Sequence, residues 1–464
     1  MAIRLFCFVL FLTGTSAAQE LATGVVHEKV ICQQNATQSY ALYLPRGYSP
    51  NRRWPILYGF DPFARGTVPI ELMKEAAERA GFIVAVSNNS CNGPFQDSIT
   101  AAQAMWADTH RRFSIDDKQS YATGLSGGAR VATTLGQLCG NCLAGVVAQG
   151  AGFHPNWPPS EKTQFVLFST AGNVDFNYME MVELDQKLEK LRIPHRLRVF
   201  AGGHQYAPTE IWDEAFSWLK LQAMRRGLQS RDAGFIGQQL KAGMDRAAAL
   251  ESRGDLADAL REYQTLAADF EGLADISAVK AKLADFAQRT NVKEALKAER
   301  DAIERQRLTF QKAATDLQIV HDDAEKRDEA LTRVQLLASE LRKQVRKSKD
   351  ENAADIVPIR RTLLQILSQS IEMGQQAIRD KQCPLAITYF DFAIEYARAA
   401  PLAHFEKARA LALAGRQKEA LAALNRAVEA GFDDARQIET TAEFAAFKQK
   451  PEFQAIIDAA RQKH

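Results

Sequence analysis

The sequence predicts an α/β domain built on a mostly parallel sheet, followed by an all-α region. Three observations carry this. From Gly24 to about Met224, short β-rich runs alternate with amphipathic stretches. After about Arg225 the strand signals vanish, and Ala, Leu, Glu, Lys, Arg and Gln dominate to the end. The chain's 464 residues leave room for several domains at ~100–200 residues each.

The expected strands are Gly24–Ile31, Ser39–Leu44, Trp54–Gly59, Phe82–Ser87, Ser120–Thr123, Ala144–Gln149, Phe165–Ser169 and Leu197–Phe200. The expected helices lie between them at Ile70–Ala80, Ser98–Arg112, Gly127–Leu138, Tyr178–Lys190 and Thr209–Met224. A leading hairpin followed by strand–helix alternation implies helices on both faces of the sheet. Ligands in such sheets sit at the carboxyl ends of the strands.

Hydrophobic residues at 46% and charged residues at 25% exclude a mostly disordered chain. Lys and Arg number 58 against 56 Asp and Glu, a balance that excludes nucleic acid as an expected partner. Arg4, the apolar run Leu5–Leu12 and Ser16-Ala17-Ala18 read as a secretory signal over residues 1–18, so the mature chain is expected to be periplasmic or extracellular. The run is shorter than the ~20 residues a bilayer requires, and no membrane span is expected. Cys7 leaves with the signal. Of Cys32, Cys91, Cys139, Cys142 and Cys383, at least one must be unpaired. Cys139 and Cys142 follow a helical stretch instead of opening one, which favours a structural disulfide over a redox dithiol.

The sheet domain is expected over residues 19–228, helices over 229–290, a charged long helix or helical hairpin over 291–352, and further helices over 353–464. Gly374 and Ala408, Ala386 and Ala420, Phe390 and Leu424, and Ala393 and Ala427 recur at one offset of 34 residues. With a turn at Gly415, this period resembles the tetratricopeptide repeat, and Ala247, Leu250, Gly254, Ala259 and Tyr263 fit the same template. The helices are expected to bind a protein partner or to stabilise the preceding domain. In the charged segment, sparse apolar positions such as Leu308, Leu317, Val320, Leu331, Val334, Leu337 and Leu341 suit a solvated spacer helix, with a coiled-coil dimer seam as the alternative. Pro358 is expected to interrupt it.

The residues that carry chemistry lie at the predicted strand ends. Gly124-Leu125-Ser126-Gly127-Gly128 joins a strand to a helix, the context of a nucleophile elbow, in which glycines make room for a strained serine. A serine hydroxyl needs a base, and Gly202-Gly203-His204 follows the last strand, where that base belongs. His154 and His195 are the nearest rivals within this domain. The imidazolium needs a carboxylate, and Asp175 follows the Phe165–Ser169 strand, whereas Glu183 and Asp185 lie inside the next helix. The oxyanion requires backbone donors. Gly127 supplies one, and Phe60 or Asp61 after the Trp54–Gly59 strand supplies the other.

Phe113-Ser114-Ile115-Asp116, the elbow, the glycine-flanked His204 and Trp218 together resemble a compact α/β-hydrolase-fold serine esterase, of the group holding feruloyl esterases, polyhydroxybutyrate depolymerases and carboxylesterases. The resemblance covers about residues 24–224. Ser126, Asp175, His204 is the chain order of that family, and the resemblance implies ester cleavage through an acyl-enzyme. Tyr58-Gly59 departs from the family's usual His-Gly before the oxyanion loop. Only residues 151–162 separate two strands, leaving no room for an inserted lid, so the cleft is expected to be open. Trp157, among Pro155, Pro158 and Pro159, is a candidate substrate contact, with simple packing as the alternative. No metal motif, phosphate loop or dinucleotide fingerprint is present, so neither metal nor cofactor is expected. Two other readings use the same residues: an inactive hydrolase-like domain within a repeat-based interaction protein, and a serine peptidase with the same triad.

Overall fold

Eight strands form one mixed sheet in the computed structural model, which describes residues 21–397 and 399–463. The expected signal, residues 1–18, and Cys7 lie outside the described residues. The strands are β1 (Val26–Cys32), β2 (Asn35–Tyr43), β3 (Trp54–Phe60), β4 (Ile83–Ser87), β5 (Ile115–Leu125), β6 (Gly145–Gln149), β7 (Val166–Gly172) and β8 (His195–Phe200). Their order is β1-β2-β4-β3-β5-β6-β7-β8, with β2 antiparallel to both β1 and β4 and the remaining pairs parallel. β4, β6 and β7 are buried along their whole length, as parallel strands covered on both faces must be. β5 starts earlier than the apolar pattern suggests, because Asp116, Asp117 and Lys118 extend it beyond the core.

The helices of this domain are α1 (Thr67–Ala80), α2 (Phe95–Arg112), α3 (Gly127–Leu138), α4 (Tyr178–Lys190) and α5 (Thr209–Arg225). One face of the sheet packs Met105, Val131 and Leu184 from α2, α3 and α4. The opposite face packs Ile70 and Met73 of α1 with Trp212, Phe216 and Leu219 of α5. Cys139 and Cys142, just after α3, form a disulfide with Cα atoms 5.6 Å apart. Cys32, Cys91 and Cys383 are all free, lying in β1, a loop and the helical half.

The chain then continues entirely in helices: α6 (Ala233–Arg253), α7 (Leu256–Asp269), α8 (Ser277–Gln288), α9 (Thr290–Asp322), α10 (Arg327–Lys347), α11 (Val357–Arg379), α12 (Cys383–Tyr396), α13 (Pro401–Leu413), α14 (Gln417–Glu429), α15 (Ala435–Thr440) and α16 (Pro451–Arg461), with a 3₁₀ turn at Ala442–Phe447. α11 packs on α12, where a Cβ at position 374 would fall 2.5 Å from the Phe390 ring, so Gly374 sets how closely the pair approaches. The charged segment is a hairpin of α9 and α10, not a solvated spacer. Leu317, Val320, Val334 and Leu341 are buried with Ile366 and Leu367 of α11, so the apolar seam is filled within the chain. Pro358 stands in the first turn of α11, where its missing N–H costs no helical bond.

The two halves meet in a buried charge network. Arg196 of β8 reaches Asp269 of α7 at 2.6 Å, and Asp269 also accepts from Trp218 Nε1 at 3.0 Å and Gln222 Nε2 at 2.8 Å. Arg198 donates to Glu214 of α5 at 2.6 Å and pairs with Glu262 of α7 at 2.6 Å. Burial alone would raise the Glu214 carboxyl, but Arg198 and Arg196 outweigh it and hold it at about 2. Glu262 is lowered as well, Arg198 again overcoming burial. Carboxyls lowered by folding stabilise fully above their ordinary value of ~4.3 and lose that contribution as the pH falls toward 2. Arg198→Met, which strips both carboxylates of a partner, is expected to cost about 3 kcal/mol. Thermal unfolding at pH 6 and pH 3 checks this: the parent chain loses stability between them, and the variant loses less.

Candidate functional site

β5 delivers Ser126 to the carboxyl edge of the sheet, and α3 starts at the next residue. Ser126 is held at φ 55° and ψ −120°, a turn that only crowded, side-chain-free neighbours permit. A Cβ on residue 128 would fall 1.9 Å from the Phe60 carbonyl oxygen, and one on residue 124 would fall 2.3 Å from the Gly128 carbonyl carbon. The Ser126 N–H donates to the Gln149 carbonyl of β6 at 2.8 Å, fastening the elbow to the adjacent strand.

The loop after β7 carries Asp175, which is wholly buried. The loop after β8 carries His204, whose Nδ1 lies 2.9 and 3.1 Å from the two Asp175 carboxylate oxygens. A nitrogen facing a carboxylate carries the proton, which leaves Nε2 as the basic atom. Nε2 is buried and has no hydrogen-bond partner; it does not bond the Ser126 hydroxyl in this structure. The Phe176 ring packs on the imidazole with centroids 4.2 Å apart. Asn177 donates its backbone N–H to Asp175 Oδ1 and its side-chain amide to the Gly150 carbonyl, both at 2.8 Å. Gly150 follows Gln149 directly. Its φ is 61°, and a Cβ there would sit 2.9 Å from His204 Cε1 and 3.1 Å from Asp175 Oδ2. One short segment, Gln149-Gly150, therefore borders all three residues.

Phe60 ends β3 and pairs with Gly124 in the sheet. Asp61 follows it with a fully buried carboxylate, a role not legible from the sequence. Its Oδ1 accepts from the N–H of Phe63 at 2.8 Å, and its Oδ2 accepts from the Tyr206 hydroxyl at 2.9 Å. The Arg65 guanidinium closes on the same carboxylate at 3.1 Å and balances its charge. Tyr206 belongs to the His204 loop, so this contact ties that loop to the β3 loop. Gln149 adds a second tie, its side-chain oxygen accepting the Ala207 N–H at 2.9 Å. Among the described residues, the N–H groups of Asp61 and Gly127 meet no protein acceptor.

The rival side chains stand elsewhere. His195 contacts the Ile193 carbonyl at 2.7 Å and lies 3.3 Å from Asp185, at the start of β8. His154 and Trp157 pack together with Phe95, with ring centroids 5.0–5.9 Å apart. Among the described residues, no group of His, Cys, Asp and Glu could hold a metal ion, and no helix is long and apolar enough to cross a membrane.

The helical half meets the sheet domain near its carboxyl edge. Arg361 of α11 donates to the Asn173 carbonyl at 2.9 Å and stacks 3.7 Å over the Tyr178 ring, bracing both ends of the Asp175 loop. Asp433, beyond α14, lies within electrostatic range of Arg65 on the other side of the site. Between Phe176–Glu183 and helices α9 and α11 lies a cavity of about 350 Å³. No helix or strand is inserted between β6 and β7 of the sheet domain.

No family model and no curated protein matches the chain. Among solved structures, it is similar to an S-formylglutathione hydrolase of Staphylococcus aureus, at 15% identity over 39% of this chain and 90% of that one, with a TM-score of 0.34. It is also similar to the fluorophosphonate-binding serine hydrolase F of Staphylococcus aureus, at 13% identity over 42% and 97%, with a TM-score of 0.35. A ferulic acid esterase matches at 17% identity over 41% and 93%, with a TM-score of 0.33.

Gly150→Ala is expected to part Asp175 from His204 and to lower stability by about 1–3 kcal/mol, since both the positive φ and the contacts oppose a methyl group. Proton NMR checks it: the downfield His204 Nδ1–H resonance of the parent chain is absent from the folded variant.

Proposed function

We propose that the chain is an exported serine hydrolase that cleaves carboxylic esters through an acyl-enzyme. One observation carries the reading: His204 holds its Nδ1 against a buried carboxylate and keeps Nε2 unpartnered, while the Gln149-Gly150 segment that packs on this pair also takes the N–H of the strained Ser126. Ser126 is the nucleophile, His204 the base and Asp175 the group that orients it. In acylation, Nε2 takes the Ser126 proton as Oγ bonds to the ester carbonyl carbon. The carbonyl oxygen becomes an oxyanion facing the free N–H groups of Gly127 and Asp61. Arg65 and Tyr206 matter here, because an unbalanced Asp61 carboxylate would repel that charge. Collapse breaks the bond to the leaving alcohol, which receives the proton from His204. Water then repeats the sequence in reverse roles, and the acid is released. The apolar leader, removed near Ala18, and the Cys139–Cys142 disulfide support export to an oxidising compartment. The 34-residue period supports tetratricopeptide-like hairpins with a protein partner for the helical half.

Ser126→Ala is expected to abolish turnover of a short p-nitrophenyl ester without changing the circular dichroism spectrum, and Asp175→Asn to lower kcat by about 10³–10⁴-fold. Undiminished turnover in Ser126→Ala contradicts the assignment and leaves the inactive, partner-binding domain as the better reading.

A further inference from the structure

The G-x-S-x-G turn requires glycine at 124 and 128 and leaves position 127 free, yet glycine stands there too. A neighbouring loop gives the reason. A Cβ on residue 127 would fall 1.9 Å from Oδ1 of Asn92 and 3.6 Å from its Nδ2, so the Asn92 carboxamide fills the space where a side chain after the nucleophile would begin. Asn92 stands in the loop after β4, and that loop is held at several points. Its backbone N–H donates to the Pro62 carbonyl at 2.8 Å, and Cys91 pairs with Phe63 in an antiparallel bridge, which ties the loop to the segment carrying Asp61. Ser90 is buried behind it, donating its N–H to Ser87 Oγ and its hydroxyl to Ser98 Oγ of α2, both at 3.0 Å. The carboxamide itself is uncommitted: Asn92 is exposed, and among the described residues its side chain forms no hydrogen bond. Asn92 thus lies against Gly127 and is bonded to the residue after Asp61, and Gly127 and Asp61 are the two residues whose N–H groups meet no protein acceptor. An Asn amide carries two N–H donors on a broad, two-fold terminal torsion, so a half turn brings Nδ2 to the place of Oδ1.

We propose that Asn92 is a third donor of the oxyanion hole, turning Nδ2 toward the carbonyl oxygen as negative charge develops on it. The inference rests on the ester-hydrolase reading and adds a catalytic residue to it. It also accounts for Gly127, since a side chain there would push the carboxamide away from the elbow. A neutral amide suits the role, because its bond to the oxygen strengthens as charge grows, whereas a carboxylate in its place would repel the oxyanion.

The test measures, in the full chain, kcat and KM for p-nitrophenyl acetate and the Ki of phenylboronic acid, which forms a tetrahedral anion on an active serine. Asn92→Ala is expected to lower kcat about 10–100-fold with little change in KM, and to raise the Ki by a similar factor. Asn92→Asp, alike in shape but charged, is expected to cost more than the truncation. Gly127→Ala keeps the N–H but displaces the carboxamide; it is expected to match Asn92→Ala, and the double variant to be no worse than either alone. Circular dichroism of each variant is expected to match the parent chain, since the Asn92 side chain is exposed and unbonded. An unchanged kcat in Asn92→Ala, a rise in KM alone, or a fall in kcat without a matching rise in Ki overturns the inference and leaves the esterase reading standing, as do additive losses in the double variant. Failure of the parent chain to hydrolyse the ester, with Ser126 unlabelled by a fluorophosphonate, overturns both.

Discussion

The backbone of Ser126 is the constraint on which the rest of the site depends. Residues with side chains adopt its φ of 55° only at a cost of order 1–3 kcal/mol, so the surroundings must hold it. They do so from both sides. β3 presses the Phe60 carbonyl against Gly128, and β6 takes the Ser126 N–H through the Gln149 carbonyl. Gly150, the next residue, packs so closely on His204 and Asp175 that the turn carrying Ser126 and the His204–Asp175 pair share one rigid neighbour. Asp61 performs the same service on the opposite side, joining the β3 loop to the His204 loop through Tyr206.

The helical half belongs to this arrangement. Its α7 locks onto β8 and α5 through Arg196, Arg198, Glu214, Glu262 and Asp269, which fixes the end of the sheet that bears His204. Its α11 sends Arg361 to the Asn173 carbonyl, two residues before Asp175. A buried guanidinium that ends on a main-chain carbonyl and an aromatic face makes a demanding contact with few substitutes. The loop that carries Asp175 is thus held by a helix nearly two hundred residues away in the chain.

Much of this was legible in the sequence because strand ends, glycines and a glycine-flanked histidine are local signals. All eight strands and the first five helices stand where alternation and turn residues place them, and the elbow, Asp175 and His204 follow from their positions after strands. What escaped depends on long-range contacts. The buried role of the Asp61 side chain requires Tyr206 to arrive from another loop. Gly150 resembles any glycine after a strand until His204 and Asp175 close around it. Arg361 looks like one more charge in a helix-rich stretch, and nothing near it in sequence announces Asn173. The charged α9–α10 hairpin read as solvated because its apolar positions are sparse, yet α11 covers them.

The central claim is that the fold turns one hydroxyl, that of Ser126, into a nucleophile through His204. Mass spectrometry of peptides from the full chain after exposure to a fluorophosphonate tests it most directly. The account predicts a single covalent adduct on Ser126 that is lost when His204 is replaced by Ala. An adduct elsewhere, or one on Ser126 that persists undiminished without His204, would contradict it.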